Sequence, residues 1–287
     1  MSASESILPE SPVRLQIRSR YPSFTKKERA IADYLNEHEE SVIYLNVTQC
    51  ADAAGVSEAS VVRFCQKLGL RGYQELKLML AQQPKSMEAK ANTEEMPSLQ
   101  RSFAAKTMAY QQLVSNTLGL SSEEHLVEAA RTLAQARLIH CYGMGASGYT
   151  ALDAAYQLSR LGLHAAAFID PHIQASVAAN LSQQDVVLGI SVSGSTKDLI
   201  SSLSVAREYN ANIIVITNYQ RSPAARLADI VLTAALEVGP LDGGSISSKV
   251  AQLVLLDLLV VSIIDRLGLQ AQDSLRRTAN AVLDKLV

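Results

Sequence analysis

Residues 47–69 read VTQCADAAGVSEASVVRFCQKLG, and their spacing sets the architecture of the N-terminal part of the chain. Ala51 is small enough for two helices to cross closely. Gly55, four residues later, can take the positive φ of a tight turn. Val56 and Val61 then point back to a core, Ser57 is placed to cap the next helix, and Gly69 to end it. That order is what a compact helix-turn-helix requires. Its second helix would enter a DNA major groove by its N-terminal residues. Ser57, Glu58, Ser60 and Arg63 are expected on or near the exposed face, and Lys67 and Lys77 at distances suited to phosphate contacts. Between Val56 and Lys85 five basic residues (Arg63, Lys67, Arg71, Lys77, Lys85) outweigh two acidic ones (Glu58, Glu75), a local charge of +3 in a chain whose net charge is −2. A nucleic-acid surface on this molecule is therefore local, since the chain as a whole is no polycation.

The chain has 287 residues, 48% hydrophobic and 19% charged, a globular profile with room for two domains. The N-terminal residues lack a basic stretch followed by an apolar core, so no signal peptide is expected. The longest apolar stretch, Leu253 to Ile264, is interrupted by Asp257 and falls short of the roughly 20 residues of a membrane span. A cytoplasmic location without membrane contact is the expectation. Cys50, Cys65 and Cys141 stand among apolar residues without metal-ligand spacing, which reads as buried free thiols; no metal and no cofactor is expected.

Working outward, residues 1–11 read as a disordered tail and 12–83 as the all-α helix-turn-helix domain, opened by the capping box Thr25-Lys26-Lys27-Glu28. Residues 84–97, poor in apolar side chains with proline at both ends, read as a linker. In 98–287, after helices at 98–119 and from Ser121, short apolar strands alternate with helical segments: Leu138–Tyr142, Ala165–Ile169, Val186–Ile190, Ile213–Thr217 and Ile230–Thr233. This predicts an α/β doubly wound domain on a five-stranded parallel sheet. Helices at 246–267 and 272–286 close the chain. The first is apolar nearly all round (Val250, Leu253, Val254, Leu256, Val260), which suits burial against the sheet or in an oligomer.

Two loops in this domain carry the chemistry. Gly143-Met144-Gly145-Ala146-Ser147-Gly148 and Ser191-Val192-Ser193-Gly194-Ser195-Thr196 each follow a strand and precede a helix. In an open parallel sheet ligands bind beyond the carboxyl ends of the strands. Glycines let the backbone approach an anion, and hydroxyls and helix-start amides donate to phosphate. Gly145, Ser147, Ser191, Ser193, Gly194, Ser195 and Thr196 are the candidate ligand contacts, for a compact phosphate ester with space for a sugar. Gly143-x-Gly145-x-x-Gly148, with Asp170 about 20 residues on, also matches the dinucleotide fingerprint, so a nicotinamide-sensing repressor is a rival reading. The second loop favours the phosphate ester.

Taken together these residues resemble the RpiR family of bacterial regulators, in which a helix-turn-helix precedes a sugar isomerase (SIS) domain. The resemblance rests on Val61–Gly69 with Gly72–Lys77, on the two loops, and on Ile216-Thr217-Asn218, Ser222-Pro223 and Ala228-Asp229-Ile230, and covers nearly the whole chain. It implies that Ser147, Ser191, Ser193 and Thr196 contact a sugar phosphate, that the protein is a homodimer or homotetramer, and that it binds palindromic double-stranded DNA operators. Family members answer to hexose, ribose or amino-sugar phosphates or to a keto-deoxy acid phosphate. SIS domains also occur in isomerases, which need a base and a ring-opening group. Glu208, Glu237, His172 and His164 are the candidates for that chemistry, and no catalytic cluster is recognisable among them. His140 reads as structural, while His172, Glu237 and Lys249 are open as ligand contacts. The expected function is a DNA-binding regulator of carbohydrate metabolism controlled by a sugar phosphate, not an enzyme.

Overall fold

A computed structural model describes residues 12–81, 98–235 and 246–285. The expected tail 1–11 and linker 84–97, together with Lys85 and Glu237, lie outside these. The described residues fall into two compact units, 12–81 in one and 98–235 with 246–285 in the other.

The first unit is all helical: α1 (Pro12–Arg20), α2 (Lys26–Glu37), α3 (Glu39–Val42), α4 (Val47–Ala53), α5 (Glu58–Lys67) and α6 (Tyr73–Ala81). The expected capping box forms on α2: Thr25 accepts from the Glu28 amide, and Glu28 accepts from the Thr25 amide. A second box, Asn46 with Gln49, starts α4. The apolar faces meet in one core around Ile31, Leu35, Val61, Phe64, Leu68 and Leu76, with Phe24 edge-on to Phe64 at 5.2 Å between ring centres. Cys50 and Cys65 are buried free thiols here, as Cys141 is in the second unit. Burial pushes Cys50 up to about 11 and Cys65 and Cys141 up to about 12.

The second unit begins with α7 (Ser98–Leu120) and α8 (Glu123–Gln135). It continues through β1 (Ile139–Gly143), α9 (Ala146–Arg160), β2 (Ala165–Phe168), α10 (Pro171–Ala178), β3 (Val186–Ser191), α11 (Lys197–Glu208), β4 (Asn212–Thr217) and β5 (Ile230–Thr233). It ends with α12 (Ile246–Leu267) and α13 (Leu269–Asn280). The five strands pair in parallel in the order β2-β1-β3-β4-β5, the doubly wound sheet expected. All five lie within two residues of their predicted limits. The last helix starts three residues early, because Gly268 at φ +55 opens it directly after α12.

Side chains alternate across the strands. Ile139, Cys141, Leu188, Ile190 and Ile214 pack under α8, α9 and α12, while Tyr142, Val187, Ile213 and Val215 pack under α11. The helix after β1 and the helix after β3 thus cover opposite faces, although the two strands are neighbours. Their carboxyl ends form the switch point of the sheet, where an open crevice is expected.

At the other end of β3, Asp185 braces the sheet. Its buried carboxylate takes a two-pronged bond from Arg137 (2.9 and 2.7 Å) and further bonds from the Ser182 amide and hydroxyl, both at 2.8 Å. Burial acts to raise this carboxyl, but the Arg137 and Ser182 bonds outweigh it and hold it below its ordinary value. Such a group adds stability above the unfolded-state value and loses it as pH falls through the folded one. Asp185→Asn should therefore lower the unfolding free energy at pH 7 by more than about 1 kcal/mol. In urea titrations across pH, the gap from wild type should close below about pH 4, near the reference carboxylate value.

Candidate DNA-reading helix and phosphate cradle

In the first unit the expected motif is built as its spacing requires. Gly55 at φ +66 turns the chain after α4, and the Val56 amide returns to the Ala51 carbonyl at 2.9 Å. The Ser57 hydroxyl caps α5 by accepting from the Ser60 amide, and pairs with the Ser60 hydroxyl at 2.8 Å. After α5, Gly69 at φ +89 lets the Leu70 amide reach the Cys65 carbonyl at 3.0 Å, a Schellman close.

The residues singled out for DNA contact are not equivalent. Arg63 is exposed on α5, its guanidinium 3.4 Å from the Ser60 hydroxyl. Ser60 itself is buried beneath it. Glu58 accepts from the Thr48 hydroxyl at 2.7 Å and so braces α5 against α4. Lys67 pairs with Glu28 at 2.9 Å and stands over the Phe24 ring. The expectation fails for Lys77. It is 6% exposed, its ammonium lies 5.9 Å from the Tyr73 ring centre, and burial pulls its pKa down to about 8. Helical spacing puts Lys77 four residues from Tyr73, on the core-facing side of α6. Arg20, which the sequence reading passed over, bonds the Lys67 carbonyl and so closes the C-terminus of α5.

In the second unit both predicted loops lie at the carboxyl ends of the adjacent strands β1 and β3. Gly145 starts α9 at φ +52 without a side-chain cap. Gly143 lies so close to the first turn of α9 that a methyl group there would collide with the Ser147 carbonyl. Ser147 is buried, and its Oγ accepts from Gln252 Nε2 on α12 at 3.2 Å.

In the other loop the Ser191 hydroxyl accepts from the Gly194 amide at 3.1 Å and lies 3.3 Å from the Thr196 hydroxyl. The Ser193 hydroxyl accepts from the Ser195 amide at 3.2 Å. Thr196 precedes α11 without capping it through its side chain. Gly194, at φ +59, rests against Ser222, where any side chain would clash. The Ala224 amide also bonds the Gly194 carbonyl, at 2.9 Å. The loop carrying Ser222 thus supports the cradle from behind, and fully buried Thr217 ties in by its bond to the Val192 carbonyl at 3.3 Å.

Two helices therefore present N-termini without side-chain caps beside neighbouring strand ends, with hydroxyls between them, an arrangement made for an anion. Two cations stand at these ends: Lys197, the first residue of α11, and Lys249, whose ammonium lies 4.9 Å from the centre of the Tyr149 ring on the first turn of α9.

The remaining candidates are dispersed. Asp170 does not stand ready for a ribose; it caps α10, accepting from the His172 and Ile173 amides at 2.9 and 3.0 Å. The strand order also differs from the 3-2-1-4-5-6 order of a dinucleotide fold. His172 is exposed in the first turn of α10. His140 packs between Tyr142 and Phe168, where burial lowers its pKa. His164 precedes β2, at the amino-terminal end of the strand next to β1, and Glu208 ends α11. That is about 18 Å from the cradle along a 12-residue helix. Among the described residues no group of three or more His, Cys, Asp or Glu is placed to hold a metal ion.

Comparison with known proteins agrees with both halves. Residues 12–86 match the helix-turn-helix domain of the rpiR family and residues 132–262 the SIS domain. An HTH-type transcriptional regulator of Caldanaerobacter subterraneus is 37% identical, the match covering 85% of this chain and 88% of that protein. The HTH-type transcriptional regulator HexR of Pseudomonas aeruginosa is 31% identical over 93% of this chain and 94% of its own. Among solved structures, the Vibrio vulnificus NanR protein complexed with ManNAc-6P superposes with a TM-score of 0.85 at 31% identity, covering 96% of this chain and 99% of that one. The chain is a member of the RpiR family of transcriptional regulators, joining a helix-turn-helix domain to a SIS domain.

Proposed function

We propose that this regulator controls carbohydrate genes by binding operator DNA through residues 12–83, with an affinity set by a phosphorylated sugar held by residues 98–287. The observation that carries the reading is the pair of helix N-termini at the switch point, uncapped by side chains and lined by Ser147, Ser191 and Thr196. A phosphate dianion there would receive hydroxyl and amide hydrogens, with Lys197 and Lys249 as the nearby cations. Gly145, Ser193, Gly194 and Ser195 shape the approach. The complex of NanR with ManNAc-6P supports the ligand class. Of the candidates for isomerisation, His164 and Glu208 lie away from the strand carboxyl ends.

Arg63 is the side chain with the exposure and reach to read a base edge or grip a phosphate. The protein acts as a homodimer or homotetramer on a palindromic operator, and its place is the cytoplasm, with the DNA. Exposed Leu99, Phe103 and Met108 on α7 support assembly. Among the described residues no helix is long and apolar enough to cross a membrane.

Two measurements test these assignments. Ser191→Ala should weaken sugar-phosphate binding at least tenfold by calorimetry, the loss of one charge-assisted bond, while DNA affinity without ligand stays unchanged. A thermal-shift panel of sugar phosphates and nicotinamide nucleotides selects the ligand, and stabilisation by NADH alone would reverse the reading. For the DNA half, Arg63→Ala should cost about 1–3 kcal/mol of binding to an operator selected from random duplexes. Lys77→Met should leave both the affinity and its salt dependence as in wild type. A salt slope reduced by about one in Lys77→Met would return that residue to the phosphate contacts.

A further inference from the structure

The apolar helix α12 carries one fully buried amide side chain, Gln252, among Ala251, Leu255 and Leu256. A buried amide without partners costs on the order of 1–3 kcal/mol. Gln252 finds its partners on α9, on two residues one turn apart. Its Oε1 accepts from the Thr150 hydroxyl at 2.9 Å, and its Nε2 donates to Ser147 Oγ at 3.2 Å.

That second bond decides what Ser147 can do. Helical hydroxyls in this chain mostly donate to the carbonyl four residues back: Thr117 to Leu113, Thr132 to Glu128, Ser202 to Asp198 and Ser262 to Leu258, at 2.8–3.0 Å. This is the usual local sink for such a hydrogen. Ser147 does not follow them. The carbonyl four residues back, that of Gly143, receives Gln174 Nε2 at 3.4 Å instead. With an Oγ lone pair taken by Gln252, the hydrogen on that oxygen turns away from α12.

We propose that Gln252 is the positioning residue of the phosphate cradle: it fixes Ser147 as a hydrogen-bond donor to the ligand phosphate. This rests on the sugar-phosphate reading above. When a phosphate oxygen accepts from Ser147, the chain Gln252–Ser147–phosphate is polarised in one direction, and each bond strengthens the next. Its protein end lies on α12, which packs against α7, α8 and α9. Occupancy of the cradle is thereby felt in the packing of α12, through a side chain that itself touches no ligand.

The test uses the full chain and a panel of N-acetylmannosamine 6-phosphate, glucosamine 6-phosphate, ribose 5-phosphate and inorganic phosphate. The most stabilising member is taken to calorimetry. Gln252→Met keeps the volume but has no N–H, and should bind about tenfold more weakly. Ser147→Ala should bind more weakly still. The double variant should match Ser147→Ala alone, because the amide acts only through that hydroxyl. Gln252→Glu keeps the shape but accepts where glutamine donates, drawing the Ser147 hydrogen toward α12, and should lose more affinity than the methionine variant. Wild-type affinity in both Gln252 variants overturns the proposal, as do losses that multiply in the double variant, the mark of a merely structural amide. Wild-type affinity in Ser147→Ala is a different failure: it removes the cradle itself, and the role of Gln252 with it.

Discussion

The parallel pairing of β1 with β3 is the constraint from which the sensing unit follows. Adjacent parallel strands bring their carboxyl ends side by side, in register from Ile139 against Val186 to Gly143 against Ile190. The chain leaving β1 turns to one face of the sheet and the chain leaving β3 to the other. Neither loop can cross the gap between them, so the gap stays open. Backbone amides at two helix starts then face it without strand partners. An anion there answers a requirement that the topology has already created. In these loops glycine is needed where the chain passes closest to other groups, at Gly143 against the turn of α9 and at Gly194 against Ser222, and at Gly145, whose φ is +52.

In the proposed reading the cradle would attract a phosphate mainly with neutral donors. Ser147, Ser191 and Thr196 give direction, and the helix ends give field. Such a site discriminates by shape more than by charge. A larger diphosphate would meet the same hydroxyls in the wrong places, since each already has a protein partner: Gln252, the Gly194 amide, or a neighbouring hydroxyl. Lys197 and Lys249 add charge at the helix ends, where it steers approach without replacing the hydroxyl geometry.

Much of this was legible in the sequence because it is local. Strand limits follow from short apolar runs, and the turn of the helix-turn-helix from Ala51, Gly55, Ser57 and Gly69, all within one stretch. Both serine loops stand where a strand yields to a helix, which a linear reading detects. What a linear reading misses is which side chains have partners elsewhere in the fold. Lys77 stands at a distance along the chain suited to a phosphate contact, whereas its position in the turn of α6 after Tyr73 sends it inward; its long stem packs and its ammonium finds an aromatic face. Lys67 and Glu58 are held by partners 39 and 10 residues away. Gln252 lies 105 residues from Ser147, and no periodicity links them. One signal was available: a lone amide in an otherwise apolar helical run is a polar group that must find a partner on folding.

That signal carries a wider consequence for how the regulator balances stability against sensing. A fully apolar residue at 252 would pack against Ala251, Leu255 and Leu256 with no polar group to satisfy. The amide stabilises the fold only while Thr150 and Ser147 are there to receive it. Loss of either partner exposes the cost of an unmade bond inside the protein, a cost that falls on α12 and not on the loop. If Gln252 orients Ser147 as proposed, the same side chain also makes the packing of α12 depend on that hydroxyl. A helix coupled in this way is biased by what happens in the crevice. Differential interaction of this kind is what any effector needs if it is to shift a protein between two states.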